Sequence, residues 1–83
     1  MARLLFFGKL GDLAGGRLHE RVLPDGVATV DQLIAAITAE DEALGEALAA
    51  PSVRFIVNEK MADAGVAISD SDEIAFLPPV SGG

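Results

Sequence analysis

Apolar residues along this chain fall mostly in short strand-like runs, and a helical period takes over once. Residues 4–7, Leu-Leu-Phe-Phe, are an apolar run closed by Gly8, which predicts a strand. Residues 11–16 carry Gly11 and the pair Gly15-Gly16 and read as a loop that turns the chain back. Residues 17–23 read as a return strand, and their imperfect alternation suits an edge. Pro24-Asp25-Gly26 then gives a strong turn signal. The period changes at Thr29-Val30-Asp31-Gln32, which has the form of a capping box. Val30, Leu33, Ile34 and Ile37 follow at i, i+3, i+4 and i+7, the apolar stripe of an amphipathic helix. Residues 41–49 continue as a second short helical turn with Leu44 and Leu48 on one side, and Pro51 stops it. Residues 53–58 are strand-like and residues 64–68 suggest a brief bridging strand. After a Ser69-Asp70-Ser71-Asp72 turn, residues 73–77 form the final strand.

The order strand, strand, helix, strand, minor strand, strand implies an α+β sheet with one main helix packed across a face. Side chains alternate across a strand, so parity separates the two faces. Leu4, Phe6, Phe55, Val57, Ile74 and Phe76 are expected to face the helix, while Arg3 and Glu73 mark the solvent side. Leu5, Phe7, Ala75 and Leu77 are then left on the outer face with no second helix to cover them. If the terminal strands are neighbours, these residues form a patch of the kind that marks a partner site. The competing expectation is that residues 9–16 or residues 60–68 fold over them.

Eighty-three residues with 51% hydrophobic content fill one domain and argue against disorder. A net charge of −7 argues against nucleic acid and anionic membranes and favours a basic protein surface as partner. With no cysteine, disulfides, thiolate nucleophiles and cysteine zinc sites are excluded, and a cytoplasmic location is the natural expectation. The run at residues 3–7 is too short for a secretory segment, and no stretch approaches the ~18 apolar residues of a membrane span. His19, the single histidine, reads as a solvated edge residue. Residues 11–16 lack the Lys-Ser/Thr ending of a phosphate loop, and residues 70–73 are too short for a calcium loop. Glu40-Asp41-Glu42 reads as a solvated run. No catalytic constellation, metal site or bound cofactor is expected, so the chain is a weak candidate for an independent enzyme.

The sequence closes with Leu77-Pro78-Pro79-Val80-Ser81-Gly82-Gly83. A double glycine packs poorly but passes through a narrow channel, leaving a carboxyl open to attack. The expectation is a folded domain over residues 1–79 and a flexible tail over residues 80–83, reaching at most about 14 Å beyond Pro79. Its working atom is the carboxyl of Gly83, with Val80, Ser81 and Gly82 as a slim stem. Pro78 and Pro79 restrict φ and limit the entropy lost when the tail enters a partner.

This ending, with Leu4-Leu5-Phe6-Phe7-Gly8 and Val57-Asn58-Glu59, resembles the small subunit of molybdopterin synthase, the MoaD family of ubiquitin-like sulfur carriers. The resemblance spans the whole chain and implies a β-grasp fold with the first and last strands parallel and adjacent. It implies that an E1-like activating enzyme adenylates the Gly83 carboxylate with ATP, and that a sulfur donor protein converts it to a thiocarboxylate. The sulfur then passes to precursor Z (cyclic pyranopterin monophosphate) in the large subunit, two carriers supplying one dithiolene. The implied assembly is a heterotetramer. Phe7, Met61 and Leu77 are the implied contacts with the large subunit. Gly11 departs from the arginine that many relatives carry, and Lys9 is the candidate substitute. Two alternatives stay open: a carrier of another pathway, either ThiS-like for thiazole synthesis or one serving tRNA thiolation or amino-acid synthesis, and a protein modifier or plain interaction module.

Overall fold

The computed structural model describes residues 1–79; the expected tail over residues 80–83 lies outside them. The described elements are β1 (Ala2–Phe6), α1 (Lys9–Ala14), β2 (Leu18–Arg21), α2 (Val30–Glu40), α3 (Glu42–Leu48), β3 (Arg54–Val57), β4 (Lys60–Ala62) and β5 (Glu73–Leu77). The strands form one mixed sheet in the order β2-β1-β5-β3-β4. β1 and β5 are parallel and adjacent at its centre, with Leu4 opposite Ile74 and Phe6 opposite Phe76. β2 is an edge, as its weak alternation suggests.

The helix-facing side of the sheet follows parity. Leu4, Phe6, Ile74 and Phe76 are buried, while Phe55 and Val57 pack against them partly buried. Phe76 stacks on Phe6 at 5.2 Å between ring centroids and meets Phe55 edge-on at 5.8 Å. Val30, Leu33, Ile34 and Ile37 of α2 close the core from above, joined by Leu44 and Leu48 of α3.

Local chemistry fixes the helix ends. The Thr29 hydroxyl accepts from the Gln32 amide at 3.3 Å, and the Gln32 side chain accepts from the Ala28 amide at 2.7 Å. The reciprocal half of the capping box thus falls one residue earlier than the usual arrangement. Residues 63–68 supply further caps: Val66 and Ala64 carbonyls accept from the Val30 and Asp31 amides. Asp41 ends α2 and caps α3, its carboxylate accepting from the Leu44 amide at 3.2 Å.

Three expectations need correction. Residues 11–16 are not simply a loop, because α1 occupies most of them and buries Leu10 in the core. The minor strand is β4, paired with β3, whereas the segment expected to bridge makes only the isolated Thr29–Ala67 pair. His19 is half-buried rather than solvated: it is opposite Leu4 on the core side and packs edge-on to Phe6 at 5.4 Å.

The corner between α2 and α3 depends on Gly45. A Cβ there would stand 2.5 Å from the Thr38 Cα, closer than any side-chain rotation can relieve. Gly45→Ala gains up to about 1 kcal/mol in helix propensity but forces the helices apart, at a typical cost of 1–3 kcal/mol or more. A net loss of about 2 kcal/mol is expected, read as a melting temperature lowered by about 4–8 °C for each kcal/mol. Adding Thr38→Ala should not restore it, since the backbone itself is the obstacle.

The turn into β5 is held by Asp72. The Asn58 side-chain amide donates to the Asp72 carboxylate at 2.8 Å and the Ser69 backbone amide at 2.7 Å, while the Glu73 backbone amide donates to Asn58 Oδ1 at 2.9 Å. Asn58 and Glu59 both have positive φ, the two-residue turn that joins β3 to β4. The Asn58 hydrogen bond, aided by Ser69, holds the Asp72 carboxyl below its ordinary value of 3.8. A depressed folded pKa gives stability that is present above the unfolded value and is lost as pH falls through the folded one. Asp72→Asn should therefore melt lower at pH 7 and converge with the unaltered chain as pH falls below 3.8 and through the lowered folded value. Calorimetry across that range is the measurement.

Candidate functional site

The outer face of the sheet is built row by row from the strand registers. Its first row is charged: Arg3 lies opposite both Glu20 and Glu73, with Arg3 Nε 3.8 Å from the Glu73 carboxylate. The second row is apolar across all five strands: Leu18, Leu5, Ala75, Ile56 and Met61. The third row lies where β5 leaves the sheet, with Leu77 opposite Arg54. Phe7 follows the Phe6–Phe76 pair, and its amide donates to the Phe76 carbonyl at 3.1 Å. Phe7 thus comes beside Leu77.

Phe7 and Leu77 are half-buried, whereas Met61 and Leu18 are 66% and 46% exposed. The face stays open for identifiable reasons. α1 packs against α3 and β1 through its buried Leu10, and β4 widens the sheet instead of folding over it. Ala75 corrects the parity expectation, being only 5% exposed. Its direction is outward as expected, but its methyl group is short and stands between Leu5 and Ile56, whose longer side chains enclose it.

Of the expected contacts, Phe7 and Leu77 come together and Met61 joins the adjoining row through its pairing with Ile56. Gly83, Gly82, Ser81 and Val80 lie outside the described residues. Sequence reasoning missed Ile56 and Leu18 as members of the face. Parity of residues 53–58 already turned Ile56 outward, but its neighbours depend on strand order, which parity does not give.

The turn from β1 into α1 lies against the root of the tail. Gly8 has φ 56°, and a Cβ on it would approach Pro78 Cγ to 2.9 Å. Both the conformation and the contact therefore favour glycine. Behind Pro78 and Pro79, on the helical side, Leu13, Ala47 and Ala50 line a shallow apolar groove that also includes Lys9. Among the described residues, no group of three His, Cys, Asp or Glu side chains is placed to hold a metal ion. Among the same residues, no helix is long and apolar enough to cross a membrane.

The comparisons with known proteins agree with this architecture. Residues 4–83 match the ThiS family. The chain is 32% identical over 83 residues to the molybdopterin synthase sulfur carrier subunit of Escherichia coli, covering all of both chains. Among solved structures it is similar to SAMP1, a small archaeal modifier protein of Haloferax volcanii. There the TM-score is 0.78 at 32% identity, with 99% of this chain and 98% of that one covered. It is also similar to a chain in the complex of subunits 1 and 2 of the molybdopterin-converting factor of Helicobacter pylori. That match has a TM-score of 0.62 at 25% identity over 99% and 97% of the two chains. With its ubiquitin-like β-grasp fold and these relatives, the chain belongs to the ThiS family of sulfur carriers.

Proposed function

We propose that the chain is the sulfur carrier subunit of molybdopterin synthase, working through the carboxyl of Gly83. The observation that carries the reading is the parallel β1–β5 pairing, which sets Phe7 beside Leu77 at the end of the final described strand. Residue 80 follows Leu77 by three residues, at most about 10 Å of chain, so a partner that grips this face has the carboxyl-terminal residues within reach. The relatives support the same pathway: one is named as this carrier, and another belongs to a two-subunit converting factor.

The chemistry needs little from the domain itself. A carboxylate is a poor electrophile, so the activating enzyme must first supply a leaving group. An oxygen of the Gly83 carboxylate attacks the α-phosphorus of ATP, and pyrophosphate departs. A donor at the sulfide level then attacks the acyl carbon, and AMP leaves with that oxygen. The product is a thiocarboxylate, a soft nucleophile formed without any cysteine in the chain. In the large subunit the sulfur passes to precursor Z. The domain's work is to be gripped by each enzyme while Pro78 and Pro79 limit the freedom of the stem.

The test is the intact mass of the full chain after incubation with an activating enzyme, ATP and a sulfur donor. Replacement of oxygen by sulfur adds about 16 Da, and a chain that never gains it overturns the proposal. A second reading, conjugation to lysines, draws on the likeness to SAMP1. It predicts high-molecular-weight adducts that survive reducing agent, and their absence would remove it.

A further inference from the structure

We infer that Arg17 and Arg54 form a cationic rim on the apolar docking face, and that the partner surface received there carries carboxylates opposite them. The inference rests on the docking reading above and adds the chemistry of the partner.

The chain has six Lys and Arg residues against thirteen Asp and Glu. Arg3 and Arg21 are committed internally, to Glu73 and Glu40. Arg17 and Arg54 are exposed and make no ion pair with any described residue. Asp12 lines a cleft with Arg17 and Asp63 lines one with Arg54, but neither pair reaches ion-pair distance. Arg54 lies at the Leu77 end of the outer face, while Arg17, whose backbone carbonyl accepts from the Phe6 amide, sits at the sheet edge just before β2 and reaches Phe7 with its guanidinium. Arg54 is opposite Leu77, and the Arg17 guanidinium lies 5.4 Å from the centre of the Phe7 ring.

This placement polarises the face. At the far end, Arg3 is compensated by Glu73, with Glu20 also opposite it; at the tail end, two cations flank Phe7 and Leu77. The net charge of −7 favours a basic partner overall. A contact, however, is governed by charges within a Debye length, about 8 Å at physiological salt. Arginine held against an aromatic ring loses less freedom on binding and presents a flat fork that matches a carboxylate. Acidic side chains around the partner's apolar pocket would thus orient the carrier with its tail inward, while unpaired cations would discriminate against basic rims.

The experiment measures association of the full chain with the molybdopterin synthase large subunit of the same organism, by stopped flow from low to high salt. Arg54→Glu should slow association at least about five-fold at low salt, and Arg17→Glu with Arg54→Glu at least about ten-fold. Both should converge toward the unaltered rate at high salt, with dissociation less affected. Lys60→Glu makes the same charge change as Arg54→Glu, but on β4 with its partner Val57 on the other side of the pleat. It should stay within about two-fold. The rim is overturned if the double reversal also stays within about two-fold, or if Lys60→Glu slows association as much as Arg54→Glu. Binding lost on truncating Phe7 or Leu77, with no response to either arginine, rejects the rim and keeps the docking face. An unaltered chain that does not bind rejects both. Melting temperatures close to that of the unaltered chain confirm that each exposed substitution leaves the fold intact.

Discussion

A chain lacking Gly83 is expected to gain no sulfur under conditions in which the full chain gains about 16 Da. The shortened chain still ends in a carboxyl on glycine, so its intrinsic reactivity is unchanged. What it loses is reach. One residue fewer withdraws the carboxyl by up to about 3.5 Å, and an adenylating site needs its reacting atoms about 3–3.5 Å apart and aligned. Misplacement by 1 Å already costs about 100-fold, so a full residue should abolish detectable loading. Gly82→Val tests the complementary requirement, since its length is unchanged and only its width grows. Slow loading after Gly82→Val together with none after deletion of Gly83 would separate channel fit from reach. Deletion without loss of loading or of molybdopterin formation would remove the terminal carboxyl from the mechanism.

How far the sequence led depended on which physical signal each element carries. A strand's period of two placed Leu4, Phe6, Ile74 and Phe76 inside, and the structure keeps them there. The stripe from Val30 to Ile37, with its cap at Thr29, marked α2. α1 escaped notice because six residues are too few for a period, and Gly11 within it argues against a helix. β4 escaped because three residues carry no alternation. Its turn takes positive φ at Asn58 and Glu59, where the common hairpin signal would place glycine second. Ala75 shows the limit of parity, which gives direction but not burial, because burial depends on neighbours in other strands. The candidate site divides along the same line. Phe7 and Leu77 were legible from parity, Met61 came only from family likeness, and Arg17 and Arg54 needed the register and the ring contact to acquire meaning.

Phe7→Ala and Leu77→Ala should each weaken binding to the large subunit by about 2–3 kcal/mol, or about 30- to 150-fold. Both side chains lie where the apolar row meets the tail, the position at which a partner must exclude water to receive residues 80–83. Both are half-buried in the free chain, so truncation removes less from the fold than from the complex. A stability loss nearer 1 kcal/mol is expected, and thermal melting of the free chain would measure it. Because β1 and β5 are adjacent, the two side chains share one contact surface and their effects should not add. A double-mutant cycle should return a coupling of about 0.5–3 kcal/mol, as for residues in direct contact. Affinity within about three-fold of the unaltered chain for both single variants would move the docking surface elsewhere. The groove beside Leu13, Ala47 and Ala50 would then be the remaining apolar surface at the root of the tail, and Leu13→Glu would test it.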